Sequence, residues 1–411
     1  MTGRFGVSDA LMPIGQALAE LEARLSPAVG TEEVALSDAL GRILAENVVS
    51  RVNVPPHDNS AVDGWAFRFA DLPEGRALPV VGRVAAGHPL EGPLPPGGTV
   101  RIFTGAPLPE GADTVAMQED CAEEHGTVVL PGKLKSGDNA RAAGEDVAKG
   151  DVVLPAGRRL RPQELGLAAA IGRTALTVYR PLRVAVFSTG DEVRDPGQEL
   201  AAGCIYDSNR FTASGLLRGL GADVTDLGIL PDHLPTITAA LAEAAAGHDL
   251  ILTSGGVSIG DEDHVKAAVL AQGSLHFWRL AIKPGRPVAL GEVAGTPFVG
   301  LPGNPVAVII TFLLIARPLA LRLMGATGTT VPRYPVVAGF AFRHKPGRRE
   351  FLRARLAPVD GRLVAEKFPS DGSGVLSSMV WSEGLVEIGE DRGDIAPGDS
   401  VDFLSYAEMM R

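Results

Sequence analysis

Residues 55–67, Pro55-Pro56-His57-Asp58-Asn59-Ser60-Ala61-Val62-Asp63-Gly64-Trp65-Ala66-Phe67, place two carboxylates five positions apart behind paired prolines and ahead of a glycine. Proline disfavours helix across this stretch, and Asn, Ser and Gly suit a turn, so Asp58 and Asp63 are expected on a loop. A displayed acid can meet a metal or a polar ligand. The same Asp58-Asn59 pair would equally serve a local side-chain turn. Further along, Thr253-Ser254-Gly255-Gly256-Val257-Ser258-Ile259-Gly260-Asp261-Glu262-Asp263 combines flexible glycine backbone with hydroxyls and closely spaced acids. Amides in such a loop can cradle an anion while the carboxylates hold Mg²⁺. Asp261 and Asp263 would also suit the cap of a following helix.

Two more segments carry charge chemistry. Leu301-Pro302-Gly303-Asn304-Pro305 reads as a strand-to-helix turn, with Asn304 at the cap and Pro305 at the first helical position. The free amides and dipole of that helix start favour an anion, although any tight strand-to-helix turn could use these residues. Lys283-Pro284-Gly285-Arg286-Pro287, preceded by Arg279, gathers three cations around a rigid turn. Arg141 near Glu145-Asp146 reads by default as a surface ion pair.

Composition narrows the chemistry. The 411-residue chain carries a net charge of −11, with 45% hydrophobic, 21% charged and 5% aromatic residues. That is a globular balance, and the absence of basic runs argues against nucleic acid as partner. Cys121 and Cys204 lie far apart with no CxxC, and the eight histidines form no HExxH, so a disulfide framework or zinc site is not expected. No Walker A, GxGxxG or GxSxG pattern is present. Acids, glycines, hydroxyls and a few cations remain, an inventory suited to Mg²⁺-assisted chemistry on a phosphate ester or anhydride. The first 25 residues carry Asp9, Glu20 and Glu22 and read as an amphipathic helix, not a signal peptide. The most apolar run, 306–316, stops at Arg317-Pro318 and is too short for a bilayer, so a soluble, cytoplasmic protein without membrane contact is expected.

These residues need elements to hold them. Residues 8–50 read as two helices, with Ser37-Asp38 capping the second. From 54 to about 141 short β-like runs alternate with Gly/Pro turns, among them a strand near 101 and another near 115. A helix is expected at 162–171. From 181 the rhythm is strand then helix: strands at 182–187, 223–230 and 250–252, helices at 210–220, 236–246 and 264–272. Such alternation predicts a parallel sheet wrapped by helices, whose carboxyl-end loops 188–192, 253–263 and 300–305 converge on one crevice. After about 325 the chain turns β-like, with a hairpin at 351–359 and 362–367 around Asp360-Gly361.

The ordered set of segments 55–67, Arg101–Val115 with Thr104-Gly105-Ala106-Pro107, 253–263 and 301–305 resembles the molybdopterin molybdenumtransferase family, which includes the C-terminal domain of gephyrin. The resemblance covers essentially the whole chain. It implies a multidomain α/β plus β fold: a discontinuous N-terminal domain (1–53 and 142–180), an inserted β-rich domain (54–141), a central doubly wound parallel-sheet domain of molybdopterin-binding type (181–327), and a small β-barrel-like C-terminal domain (328–411). It implies insertion of molybdate into adenylylated molybdopterin with release of AMP and Mg²⁺ as cofactor. It implies a homodimer with sites closed across subunits, and contact with the molybdopterin adenylyltransferase of the preceding step. Position by position, the implied catalytic residues are Asp58, Thr104, Asp146, Glu192, Asp232 and Asp263, with Asp58, Asp146 and Asp263 at the metal. The implied substrate-binding residues are Arg141, Ser254, Gly255, Gly256, Arg279, Lys283, Arg286, Pro302, Gly303, Asn304 and Pro305. Arg286 stands where the family commonly has Lys, which changes a point charge to a fork. Two alternatives accompany this reading. One is the adenylyltransferase itself, because 181–325 resembles a domain shared with that step; the other is a non-catalytic gephyrin-like scaffold.

Overall fold

The computed structural model describes residues 11–255 and 264–410. The inserted segment forms a six-stranded sheet in the order Thr114–Met117, Gly64–Phe67, Thr99–Ile102, Ala77–Val84, Thr127–Val129, Ala122–Glu124. Strand Gly64–Phe67 is central, antiparallel to both neighbours. Its alternating residues are buried on opposite faces: Ala66 packs with Val84, Val100 and Ile102, and Trp65 and Phe67 pack with Leu78 and Val128. Gly64 has to be glycine, because a Cβ there would lie 1.9 Å from the Ala116 carbonyl oxygen.

The stretches on either side of this insert pair with each other. Thr31–Ala35 runs antiparallel to Ala175–Tyr179, and Val48–Val49 to Val152–Leu154. The expected second helix is therefore absent: of the described residues up to 50 only Ile14–Arg24 is α-helical, and Leu36–Asp38 is a single 3-10 turn. Cross-strand pairing overrides the capping signal of Ser37-Asp38, because the partner strand supplies hydrogen bonds and packing that a short isolated helix could not. Helix Pro162–Ala170 forms as expected.

The α/β region holds a sheet in the order Asp223–Leu230, Arg183–Thr189, Leu250–Ser254, Thr296–Leu301, Pro287–Val293, Gly273–Arg279. The first four strands are parallel, as the strand–helix rhythm predicts. Strands 273–279 and 287–293 add an antiparallel edge. The two-residue turn Ala294-Gly295, both at positive φ, permits only antiparallel pairing, since a parallel return needs a long crossover. Alternate strand residues feed two cores: Val184, Val186, Leu252 and Leu301 on one face, Ala185, Phe187, Ile251 and Phe298 on the other. Helices Asn209–Gly219, Leu234–Gly247 and His264–Gln272 match the sequence pattern.

The apolar run does not stop at Arg317-Pro318. The helix continues from Pro305 to Leu323, 19 residues nearly all buried within the protein. A π turn over Phe312–Ala316 is separated from Pro318 by Arg317 alone. Widening there accommodates a proline that has no N–H and would clash with the carbonyl one turn back. By length and composition this helix could cross a bilayer; here it is the central rod of the core.

At the C-terminal end Arg349–Val359, Arg362–Lys367, Tyr334–Ala338, Ser400–Ser405 and Gly384–Ile388 pair in that order, and Gly384–Ile388 also pairs with Arg349–Val359, closing a five-stranded barrel. The expected hairpin is present, with Asp360 and Gly361 both at positive φ. Ile282–Lys283, from the α/β region, pairs parallel with the barrel strand Arg349–Val359. This short pairing joins the barrel to the basic turn.

Candidate functional site

The prolines at 55 and 56 hold the Asp58 segment extended, and the segment is tied down at both ends. The Leu108 amide donates to the Asp58 carbonyl at 2.9 Å, and the Gly144 amide to the Pro55 carbonyl at 2.9 Å. The Asp58 carboxylate does not close a local turn. Its Oδ1 accepts from the Ala143 amide, 85 residues away, at 2.8 Å. Asn59 pairs with Arg141, and the Asp146 amide donates to the Val54 carbonyl at 3.0 Å. Asp63 Oδ1 accepts both the Thr104 amide at 2.8 Å and the Thr104 hydroxyl at 2.7 Å. Those two bonds hold the Asp63 carboxyl below its usual range. Asp58, Thr104, Arg141 and Asp146 are thus brought to one edge, all exposed. Among the described residues Arg141 makes no ion pair, so the default surface-pair reading does not hold.

A second grouping lies at the carboxyl ends of the parallel strands. Glu192, Gly255, Lys283, Arg286, Pro302, Gly303 and Asn304 line a cavity of about 580 Å³, with Asp371 and Ser373 contributed by the barrel region. An adjoining cavity of about 320 Å³ shares Glu192, Gly255, Gly303 and Asn304 and adds Ser188, Thr189, Ser208, Asn209, Ser254 and Pro305. Ser188 and Thr189 are 2% and 5% exposed, and among the described residues neither hydroxyl has a hydrogen-bond partner. Buried hydroxyls are nearly always paired, so orphans at a cavity wall are what a polar ligand would satisfy. The turn at 301–305 is fixed by Asn209, whose Nδ2 donates to the Gly303 carbonyl at 2.7 Å. Asn304 sits at the cap position without a side-chain capping bond, and Pro305 starts the helix. The Val306 amide already donates to the Ser373 carbonyl at 3.0 Å, so the barrel loop takes one of the helix's free donors.

The basic turn differs from a freely solvated one. Lys283 Nζ lies 3.2 Å from Glu350 Oε2, and Arg348 Nε 3.2 Å from Glu350 Oε1. Glu350 is 2% exposed. Gly285 has φ +98°, and a Cβ there would lie 2.4 Å from Thr311 Oγ1, so the turn packs directly on the central helix.

Several residues named from the sequence fall elsewhere. Asp232, exposed ahead of helix Leu234–Gly247, and Arg279, exposed at the end of its strand, line neither cavity. The same is true of Asp58, Thr104, Arg141 and Asp146. Asp263 and Gly256 lie outside the described residues. Ser188 and Thr189 were placed in a crevice loop by the sequence but not named as site residues; Asn209, Asp371 and Ser373 were not singled out at all. For Asn209 the signal was present, since Asp207-Ser208-Asn209 opens a helix in the manner of a capping segment. For Asp371 and Ser373 no local signal exists, because the barrel brings them in from another region.

The carboxylates can be asked whether they suit Mg²⁺. Among the described residues no three His, Cys, Asp or Glu side chains gather into a ligand group. Mg²⁺ does not need such a cage, as it is commonly held by one or two carboxylates together with substrate phosphates and water. Asp58, with one oxygen engaged, and the exposed Asp146 are compatible with that donor set. A cleft of about 570 Å³ on the barrel is a weaker candidate, because its Glu387 and Glu390 are already paired with Arg349.

Residues 12–172 match the MoeA N-terminal region (domain I and II), 185–322 a probable molybdopterin binding domain, and 335–406 the MoeA C-terminal region (domain IV). A molybdopterin molybdenumtransferase of Haemophilus influenzae is 39% identical over 403 residues, 97% of this chain and 100% of that protein. One from Bacillus subtilis is 33% identical over 389 residues, covering 92% and 90%. The crystal structure of the molybdopterin biosynthesis MoeA protein from Pyrococcus horikoshii OT3 superposes with a TM-score of 0.83 at 30% identity, covering 97% and 100%. With three regions matched in order and a relative aligned from end to end, this chain belongs to the molybdopterin molybdenumtransferase family.

Proposed function

We propose that the protein inserts molybdenum from molybdate into adenylylated molybdopterin during molybdenum cofactor synthesis. Water cleaves the phosphoanhydride and AMP leaves, while the two dithiolene thiols displace an oxygen of molybdate, which departs with their protons as water. The observation that carries this reading is the crevice itself: orphaned buried hydroxyls, a helix start and a basic turn assembled at the carboxyl ends of parallel strands, in a chain similar from end to end to proteins named for this reaction. Ser188, Thr189, Ser254 and the turn 302–305 would bind and orient the anionic substrate, with Lys283 and Arg286 offsetting its charge. Glu192 would hold or move a proton at the reacting group. Asp58 and Asp146, with Asp263, would hold Mg²⁺, which supplies neutralisation of phosphate charge when bound.

Among the described residues the two groupings of site residues do not share a cavity wall within one chain, which supports a homodimer in which each site draws on both subunits. Cytoplasmic localisation fits the burial of the apolar helix inside the protein core. The correspondence of the inserted unit and the barrel to insertion enzymes favours this reading over an adenylyltransferase or a scaffold. The test is incubation with adenylylated molybdopterin, molybdate and Mg²⁺, following AMP. Release that depends on molybdate is expected; release indifferent to molybdate overturns the proposal. Heterodimers of Asp58→Ala and Glu192→Ala subunits should regain activity that neither variant homodimer has, and verified heterodimers without any would remove the shared site.

A further inference from the structure

We propose that Arg210 is a positioning residue, clamping both ends of the 192–206 loop to the edge strand of the sheet and so holding Glu192 in the crevice wall. This rests on the role given to Glu192 above. The loop leaves the sheet after strand Arg183–Thr189 and returns just before helix Asn209–Gly219. Its backbone ties are short: Ile205 donates to the Glu192 carbonyl at 2.8 Å and Asp207 to the Arg194 carbonyl at 2.9 Å. A pairing of two residues per strand does not hold a loop by itself.

Arg210 supplies the remainder. It is 4% exposed, on the first turn of the helix. Its Nε donates to Asp207 Oδ2 at 3.0 Å, where the loop ends. Its Nη1 meets both oxygens of Asp226, on strand Asp223–Leu230, at 2.5 Å each. Its Nη2 bonds Asp195, three residues after Glu192. The Phe211 ring lies 4.9 Å from the guanidinium. A buried guanidinium is tolerated only when its donors are satisfied, and here the rigid fork spends them on three separate segments. The Glu192 carboxylate folds back over the loop's start, since a Cβ at Gly190 would lie 2.7 Å from Glu192 Oε2. Its position therefore follows the loop, and the loop follows Arg210.

Removing Arg210 would leave three carboxylates together and could unfold the region, so the cleaner cut is at Asp195, 43% exposed. Asp195→Ala frees the loop while leaving Asp207 and Asp226 paired. It is expected to keep its thermal transition and lose at least about tenfold in kcat for molybdate-dependent AMP release, with KM for the adenylylated pterin changed less than about twofold. Asp195→Asn, which keeps an acceptor for Nη2, should recover most of that loss. In a Glu192→Gln background Asp195→Ala should add less than about twofold, because it acts through Glu192. Losses that multiply in the double variant, or a raised KM with kcat intact, overturn the proposal. Hydrogen exchange at the Ile205 and Asp207 amides should quicken in Asp195→Ala whatever the activity, and unchanged protection overturns the clamp. Quickened exchange in a protein whose wild type releases no AMP supports the clamp and overturns the insertion reading instead.

Discussion

Replacing Lys283 by Met removes a cation from the crevice but keeps much of its apolar stem. Lys283 is also half of an ion pair, so two effects are expected. Glu350, 2% exposed, has one cation on each oxygen, and the change takes away the one at 3.2 Å from Oε2. A hydrogen bond to a charged group is worth about 1.5–3 kcal/mol when both ends are buried. The Lys283 side chain is 37% exposed, and solvent screening lowers that to about 1 kcal/mol. Urea unfolding should therefore show a loss of about 1 kcal/mol, with Arg348 still serving Glu350. For a bound anion in contact with Nζ, the attraction is offset by the nearby Glu350 carboxylate, leaving about 1 kcal/mol, or roughly fivefold in Kd. Calorimetric titration of molybdate at low and high salt measures this, and Lys283→Met should also flatten the salt dependence. Glu350→Gln is the opposing arm: it removes the offsetting charge and should tighten molybdate binding by a similar factor while lowering stability. If Lys283→Met leaves affinity and its salt dependence unchanged, or Glu350→Gln weakens binding as Lys283→Met does, the charge reasoning is refuted.

Three further outcomes are expected. Gly285→Ala should lower stability twice over, by about 1–3 kcal/mol for a side chain at φ +98° and about 1–3 kcal/mol for the contact with Thr311; adding Thr311→Ala should recover only the second part in denaturant unfolding. Asp63→Ala should cut AMP release at least about tenfold by freeing Thr104, whereas Asp63→Asn, which keeps an acceptor for the Thr104 amide, should retain most activity in steady-state kinetics. Glu164 is held by hydrogen bonds from Arg161, against the cost of burial, and by Arg158, which bring its carboxyl from 4.5 to about 2. A depressed folded-state value means stability that is complete above pH 4.5 and lost as pH falls towards 2, about 2 kcal/mol after allowing for the half-exposed guanidiniums, so Glu164→Gln should flatten the acid limb of the unfolding curve over that window.

Strand and helix positions in the α/β region were legible in the chain because their signals are local. Asp223–Leu230 and His264–Gln272 coincide with their hydrophobic patterns, and Asp360-Gly361 dictates its own hairpin. The loop 188–192, Ser254-Gly255 and the turn 301–305 could be assigned to one crevice because parallel strands must end on the same side. What the sequence by itself could not determine depends on partners distant in the chain. Thr31–Ala35 became a strand because Ala175–Tyr179 lies beside it, and the helix passed through Pro318 because a buried core supported a π turn. Asp58 was read as a displayed acid or a local turn, yet its carboxylate serves the Ala143 amide; Lys283 was read as a cation of the basic turn that meets the substrate, and Glu350 of the barrel is its ion-pair partner. Residue types and spacing determine which chemistry is available. Which side chains are spent on structure and which remain for a ligand is decided by long-range hydrogen bonds and ion pairs, whose partners no local pattern encodes.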